Sequence, residues 1–218
     1  MNKKTLLLKK EMLLTASPKS YFFIAFAFMA MIPQYPILMG AFFVCLGIFG
    51  SFQSAREAGD IFYTNMLPVA KKDVVKSKYI FTVAIQMISW ILMFVLTLLR
   101  MSFLADVVPY SINTLMNANF AYLGWNLIIF AAFNTIFLGN FFKTAYKLGI
   151  PFVLFGIATV IVLSLGEALH CFPGMESLNS TRFQLSQLWI FFGGIAVYFA
   201  GTLLSLKVSI KRFEKIDL

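Results

Sequence analysis

The chain is poor in the residues that do chemistry. It has one histidine, His170, and two cysteines, Cys45 and Cys171, in 218 residues. Neither cysteine stands in a CxxC or CxxH pattern, so the sequence contains no zinc signature. His170 and Cys171 are neighbours, but two ligands are too few to hold a metal. No GxxxxGK[ST] phosphate loop and no HExxH pair occurs. A Ser-His-Asp arrangement needs a histidine in a folded site, and the single histidine falls in a loop. The chain is therefore expected not to be an enzyme by itself and to bind no cofactor or metal. Charged residues make up only 12%, against roughly 25% in soluble domains.

What is abundant is apolar surface. Hydrophobic residues make up 60%, with 26 Phe, and the mean hydropathy is +0.84. These values point to a membrane protein. The net charge is +9, which can signal nucleic acid. Here the lysines flank apolar segments, so a bias of cytoplasmic loops toward positive charge explains the excess, and no nucleic-acid partner is expected.

Taken in order, residues 1–19 carry a basic start whose short apolar run is broken by Lys9, Lys10 and Glu11. No signal-peptide core forms. This segment is expected to be a helix lying on the inner surface, lysines toward the lipid head groups. Residues 20–54 are almost continuously apolar. One helix of that length would reach about 50 Å, and a bilayer core is roughly 30 Å. Pro33 and Pro36 divide it into two spans, 20–33 and 36–54. Four more follow at 79–100, 119–142, 148–166 and 187–206. Residues 101–118 and 167–186 are mixed loops, the first with apolar residues suited to short interfacial helices. The fold class expected is all-α integral membrane, a single domain over 1–218 with six transmembrane helices.

Orientation follows from charge. Of the 18 Lys and Arg residues, Arg100 and Arg182 alone fall in outer loops when both termini are placed inside, and the other 16 fall inside. The expected location is a bacterial cytoplasmic membrane, multi-pass, with cytoplasmic termini. Cys45 then lies mid-membrane and Cys171 outside, too far apart for a bridge. No span has an ionisable residue near its middle. Ion-coupled carriers need such groups, so self-powered transport is disfavoured. Gln86, Ser89, Asn126, Asn134 and Thr159 are the polar intramembrane residues, each able to contribute about 0.6–2 kcal/mol by bonding a neighbouring helix. Gly193, Gly194, Ala196, Ala200 and Gly201 allow close helix contact, either inside the bundle or between copies.

The stretch 55–78 is water-soluble and too long for a turn. Within it and just beyond, Leu67-Pro68-Val69-Ala70-Lys71-Lys72-Asp73-Val74-Val75-Lys76-Ser77-Lys78-Tyr79 resembles the LPVSRKEIVLSKYL-like signature of small six-span permease subunits of type-2 class bacterial ABC exporters. Such relatives include exporters of phenol-soluble modulins and other amphipathic peptides. Two positions depart from the signature. Ala70 stands where Ser is usual and Asp73 where Glu is usual, so half of a helix capping box is lost. Lys71, Lys72, Lys76 and Lys78 are expected at the inner head-group level.

The resemblance implies a coupling helix just before the motif, about 55–66, that docks on a separate cytosolic ABC ATPase subunit. Glu57, Asp60, Phe62 and Tyr63 are then candidate contacts, together with Leu67, Pro68, Lys71, Lys72 and Asp73. Charge reversal at Glu57 or Asp60 is expected to abolish coupling without blocking insertion. ATP and Mg would sit on that partner subunit. A second permease copy, identical or paralogous, is implied, with membrane lipids around the pair. The substrate pathway is expected along spans two and five, near Phe42, Phe49 and Thr159. The expected function is export of amphipathic peptides or other hydrophobic compounds. The alternative is a non-transporting scaffold or immunity-type protein that binds a cytosolic partner.

Overall fold

The structure is a computed structural model that describes residues 3–15 and 18–216. Residues 1, 2, 16 and 17 of the expected 1–19 interfacial helix, and the last two of the tail, lie outside the described residues. The described chain is all helical. α1 (Lys3–Lys10) runs into a wider π-type turn, Glu11–Thr15. α2 (Pro18–Phe22) continues as a 3-10 rod, Phe23–Met31. α3 (Met39–Glu57), the short α4 (Asp60–Met66) and the long α5 (Lys71–Phe103) follow. α6 (Phe120–Ala132) passes through a π-type turn, Phe133–Leu138, into α7 (Gly139–Thr144). α8 (Gly149–Leu169) and α9 (Leu185–Glu214) complete the bundle.

Four of these rods are apolar and long enough to cross a membrane: Lys71–Phe103, Phe120–Thr144, Gly149–Leu169 and Leu185–Glu214. The first two expected spans correspond to the shorter apolar helix Ser20–Met31 and to α3, whose last turns carry Gln53, Ser54, Arg56 and Glu57. The break falls where the prolines place it, and Gln34 takes a left-handed φ of 55° to turn the chain. The two halves pack against each other. The Ser20 hydroxyl donates to Gly47 O at 2.7 Å and also bonds Ser51 across this seam.

The α6–α7 rod is the buried centre, and α9 packs along it most extensively. Glycine decides that contact. A Cβ on Gly194 would stand 2.7 Å from Gly124 Cα, so only two glycines let these backbones cross. Behind the crossing, polar side chains meet in the apolar interior. Gln86 and Asn134 exchange two amide bonds of 3.0 Å, Asn134 also donates to Thr202, and Tyr198 donates to Gln86. Tyr79 bonds Ser205 and Ser209. Asn134→Leu would leave Gln86 and Thr202 short of partners. It is expected to destabilise the fold by about 1–2 kcal/mol, read as a lowered melting temperature in detergent. An unchanged midpoint would show that the network contributes nothing.

At the end of the bundle away from α4, residues 104–119 form turns rather than the expected interfacial helices. Their asparagines explain this, because Asn side chains bond nearby backbone and compete with helix. Asn119 accepts from Tyr122 N and so caps α6, and Asn117 and Asn119 tie this loop to residues 178–180. Arg100 is buried there with no carboxylate paired to it among the described residues. It donates to Ala30 O at 2.7 Å and to Asn117 Oδ1 at 2.9 Å, with its guanidinium 4.8 Å from the Tyr110 ring centre.

Candidate functional site

The polar stretch divides into a turn, a helix and a restart. α3 stops at Glu57, and Gly59 takes φ 64°, a left-handed conformation that glycine adopts without strain. α4 follows for seven residues. It ends at Leu67, which is extended (φ −79°, ψ 151°), as a residue before proline should be. α5 then begins at Lys71 with extended Ala70 as its N-cap and no side-chain cap bond. The expected half-lost capping box is therefore present as a bare helix start. Ala70 is exposed, so a serine there meets no packing conflict. Ala70→Ser is expected to stabilise the protein by about 1 kcal/mol, seen as a raised melting temperature. A fall would mean that the hydroxyl does not improve on the bond the Asp73 amide already makes to Ala70 O. α5 starts eight residues earlier than expected for span three, because the lysine-rich segment is itself helical.

α4 has two faces, as helical periodicity requires. Asp60, Ile61 and Thr64 turn inward, while Phe62, Tyr63 and Met66 are exposed, continued by exposed Leu67 and Pro68. Glu57 is exposed, and its carboxylate accepts from Gln53. Lys72 is exposed, whereas Lys71 donates to Ile216 O at 2.6 Å and pins the end of α9 to the start of α5. Asp73 is half-buried and lines a crevice with Thr5 and Leu8 of α1.

Behind α4 lies a cluster of four charges. Lys78 Nζ donates to Glu11 Oε2 at 3.0 Å and to Asp60 Oδ2 at 2.9 Å. Lys10 Nζ lies 2.5 Å from Asp60 Oδ1 and 3.1 Å from Glu11 Oε1. It also donates to Thr64 Oγ1 at 2.9 Å, and that hydroxyl donates to Asp60 O. Glu11 and Lys78 are fully enclosed. Two positive and two negative charges balance, which makes such burial affordable. Burial works to raise the Asp60 pKa, but the ammonium groups of Lys78 and Lys10 outweigh it and hold the carboxyl below its ordinary value. A carboxylate depressed in this way contributes stability above its unfolded pKa and loses it as pH falls through the folded one. The Asp60 carboxylate therefore carries its charge at neutral pH.

Two expectations change here. Lys78 was expected at the head-group level but lies inside the protein, because two acids from other elements converge on it. Asp60 was expected to face a partner but is used internally. Its reversal to lysine would set a third cation beside Lys10 and Lys78 and disturb folding as well as docking. Glu11, Lys10 and Lys78 were not among the candidate site residues. Their one signal was a pair of acids, Glu11 and Asp60, bordering apolar segments near lysines.

The expected pathway residues sit elsewhere, between α3, α6–α7 and α8. Phe42 stacks on Phe155 with ring centres 5.9 Å apart, and Phe49 stacks on Phe152 at 4.1 Å. Thr159 is buried, and its hydroxyl donates to Phe155 O. The three belong to one packed aromatic seam. Of the cysteines, Cys45 is buried in α3 and Cys171 is exposed beyond α8.

The described residues form an all-helical bundle with four apolar helices of membrane-crossing length and the short α4 on a polar connection. Residues 6–214 match the family model for ABC-2 family transporter protein, and the chain belongs to that family. It is thus a membrane permease component of an ABC transporter, not itself catalytic, whose family works with an ABC ATPase. No curated protein and no solved structure matches the chain.

Proposed function

We propose that this protein is the permease subunit of an ATP-driven exporter of amphipathic peptides or other hydrophobic compounds, and that its ATPase docks on α4. The observation that carries this reading is the outer face of α4. Phe62, Tyr63, Met66 and Leu67 are 52–67% exposed on one short helix whose opposite face is held by buried charges. An exposed aromatic cluster flanked by charged residues is what a protein partner buries. ATP and Mg are used on that partner.

The rod Ser20–Met31 with α3 supplies two further crossings, making six, and both termini lie on the cytoplasmic side of a bacterial membrane. Two permease copies, identical or paralogous, flank the substrate route. The stacked rings at Phe42 and Phe49, with Thr159 behind them, would part when α8 moves from α3 during transport. Co-expression with the ATPase encoded by a neighbouring gene tests the reading. The two are expected to co-purify, and inverted vesicles are expected to accumulate an amphipathic peptide only with ATP. Absence of association would overturn the proposal. Association with stimulated hydrolysis but no accumulation of any candidate would favour the scaffold reading.

A further inference from the structure

We infer that Lys78 is a positioning residue which, through Glu11, Asp60 and Lys10, locks α4 to the N-terminal helix and to the start of α5, so that the three move as one body. The inference rests on the reading of α4 as the ATPase docking helix, and adds how a displacement of α4 is passed on.

Three observations carry it. First, α4 has little of its own to hold it. It is seven residues long, starts on left-handed Gly59 and has no side-chain cap. Helices shorter than about 12 residues are marginal without tertiary contacts. Second, the cluster joins elements far apart in the chain, with Lys78 Nζ reaching an acid 67 residues away and another 18 residues away. Lys10 and Lys78 both meet the carboxylates of α4 and of the π-type turn after α1, and Lys78 is the one that brings α5 into the cluster. Thr64 adds a further tie from α4 to Lys10. Third, beside the cluster is a cavity of about 160 Å³ between α3, α4 and α7, lined by Phe52, Arg56, Phe141 and Tyr146 among others. Asp60 and Lys78 themselves line it, so the clamp holds α4 at the edge of an open space. A push on α4 has room to rock it about the clamp, and α1 must follow. Among the described residues, the ion pair outside the cluster, Arg182 with Asp106, is exposed at the far end and plays no part.

The test is hydrogen exchange on the full-length permease, alone and with its ATPase, comparing wild type, Lys78→Arg and Lys78→Met. Removing the charge is expected to raise exchange in Lys3–Thr15 and Asp60–Met66 together, by roughly tenfold or more, with α6 and α9 unchanged. Lys78→Arg is expected to keep the protection. In the wild-type complex, ATP should alter exchange in both segments and at the start of α5, residues 71–78. In Lys78→Met the ATPase should still bind and Lys10 still ties α1 to α4, yet nucleotide should no longer alter exchange at residues 71–78. Loosening of one segment alone, or a nucleotide effect on residues 71–78 that survives Lys78→Met, would overturn the inference. If Lys78→Met fails to fold, the double variant Glu11→Gln, Lys78→Met leaves one cation, Lys10, with one anion, Asp60, and is read in the same way. If no ATPase binds wild type, the docking reading fails, while the paired loosening in the permease alone still decides the clamp.

Discussion

Gly124→Leu is expected to yield almost no folded protein. A Cβ at that position would run into the backbone carbonyl of Ile190 and stand 2.9 Å from Phe191 Cα. These are backbone atoms and cannot rotate away as a side chain would. Overpacking a core by a few methylenes costs about 1–3 kcal/mol even where side chains can adjust. Here α6 and α9 must separate along the most extensive contact of the bundle. Separation also breaks the bonds from Asn134 to Thr202 and from Tyr198 to Gln86. Gly193→Leu is the matched control, because a Cβ there meets nothing within 4 Å and the change should stay within about 0.5 kcal/mol. Size-exclusion profiles of fluorescent fusions read both. Equal monodisperse peaks from the two variants would refute the close crossing.

The double variant Phe62→Ala, Tyr63→Ala is expected to abolish recovery of the ATPase while the permease still inserts and melts as wild type does. The two rings contact each other, 5.9 Å between centres, and project from the bundle, being 53% and 65% exposed. They therefore contribute little to the fold. Aromatic anchors at the centre of a protein interface commonly cost 2 kcal/mol or more when truncated, so two together should weaken binding by about a thousandfold. Glu57→Lys, at the exposed edge of the same surface, should act more weakly and in a salt-dependent way. Retained co-purification in the double variant would move the docking site off α4.

Much of this architecture was legible beforehand, for reasons that are local. Pro33 and Pro36 end a helix because proline removes a donor and clashes with the preceding turn. Ala70 leaves α5 without a side-chain cap because its side chain has no oxygen to offer the helix start. The apolar runs set the α6–α7 rod and α8 within three residues of their observed ends, while α5 starts and α9 ends eight residues beyond theirs, and the family match over 6–214 agrees with the permease read from the motif at Leu67–Tyr79. Helix ends inside polar stretches were less legible. α5 begins at Lys71 because lysine is a good helix former, and hydropathy alone cannot register that.

The site was half legible. The outward face of α4 was visible as Phe62 and Tyr63 in an otherwise soluble stretch. The inward face was not. Whether Asp60 meets a partner protein or Lys78 depends on where α1 and α5 come to lie, and sequence separation carries no information about that. The small residues of α9 left the same ambiguity. Gly194 proves to be internal, against Gly124, while Gly193, Ala196 and Ala200 face outward.

The sequence by itself determined that this is a helical membrane protein, because composition and apolar run length depend on no folding partner. It also determined that a polar segment interrupts the membrane part after α3. Only the tertiary structure decided what that segment's charges do. Four ionisable groups can enter an apolar interior only when their geometry lets the charges cancel. That geometry exists only once Glu11, Asp60 and Lys78 are brought together from three separate elements.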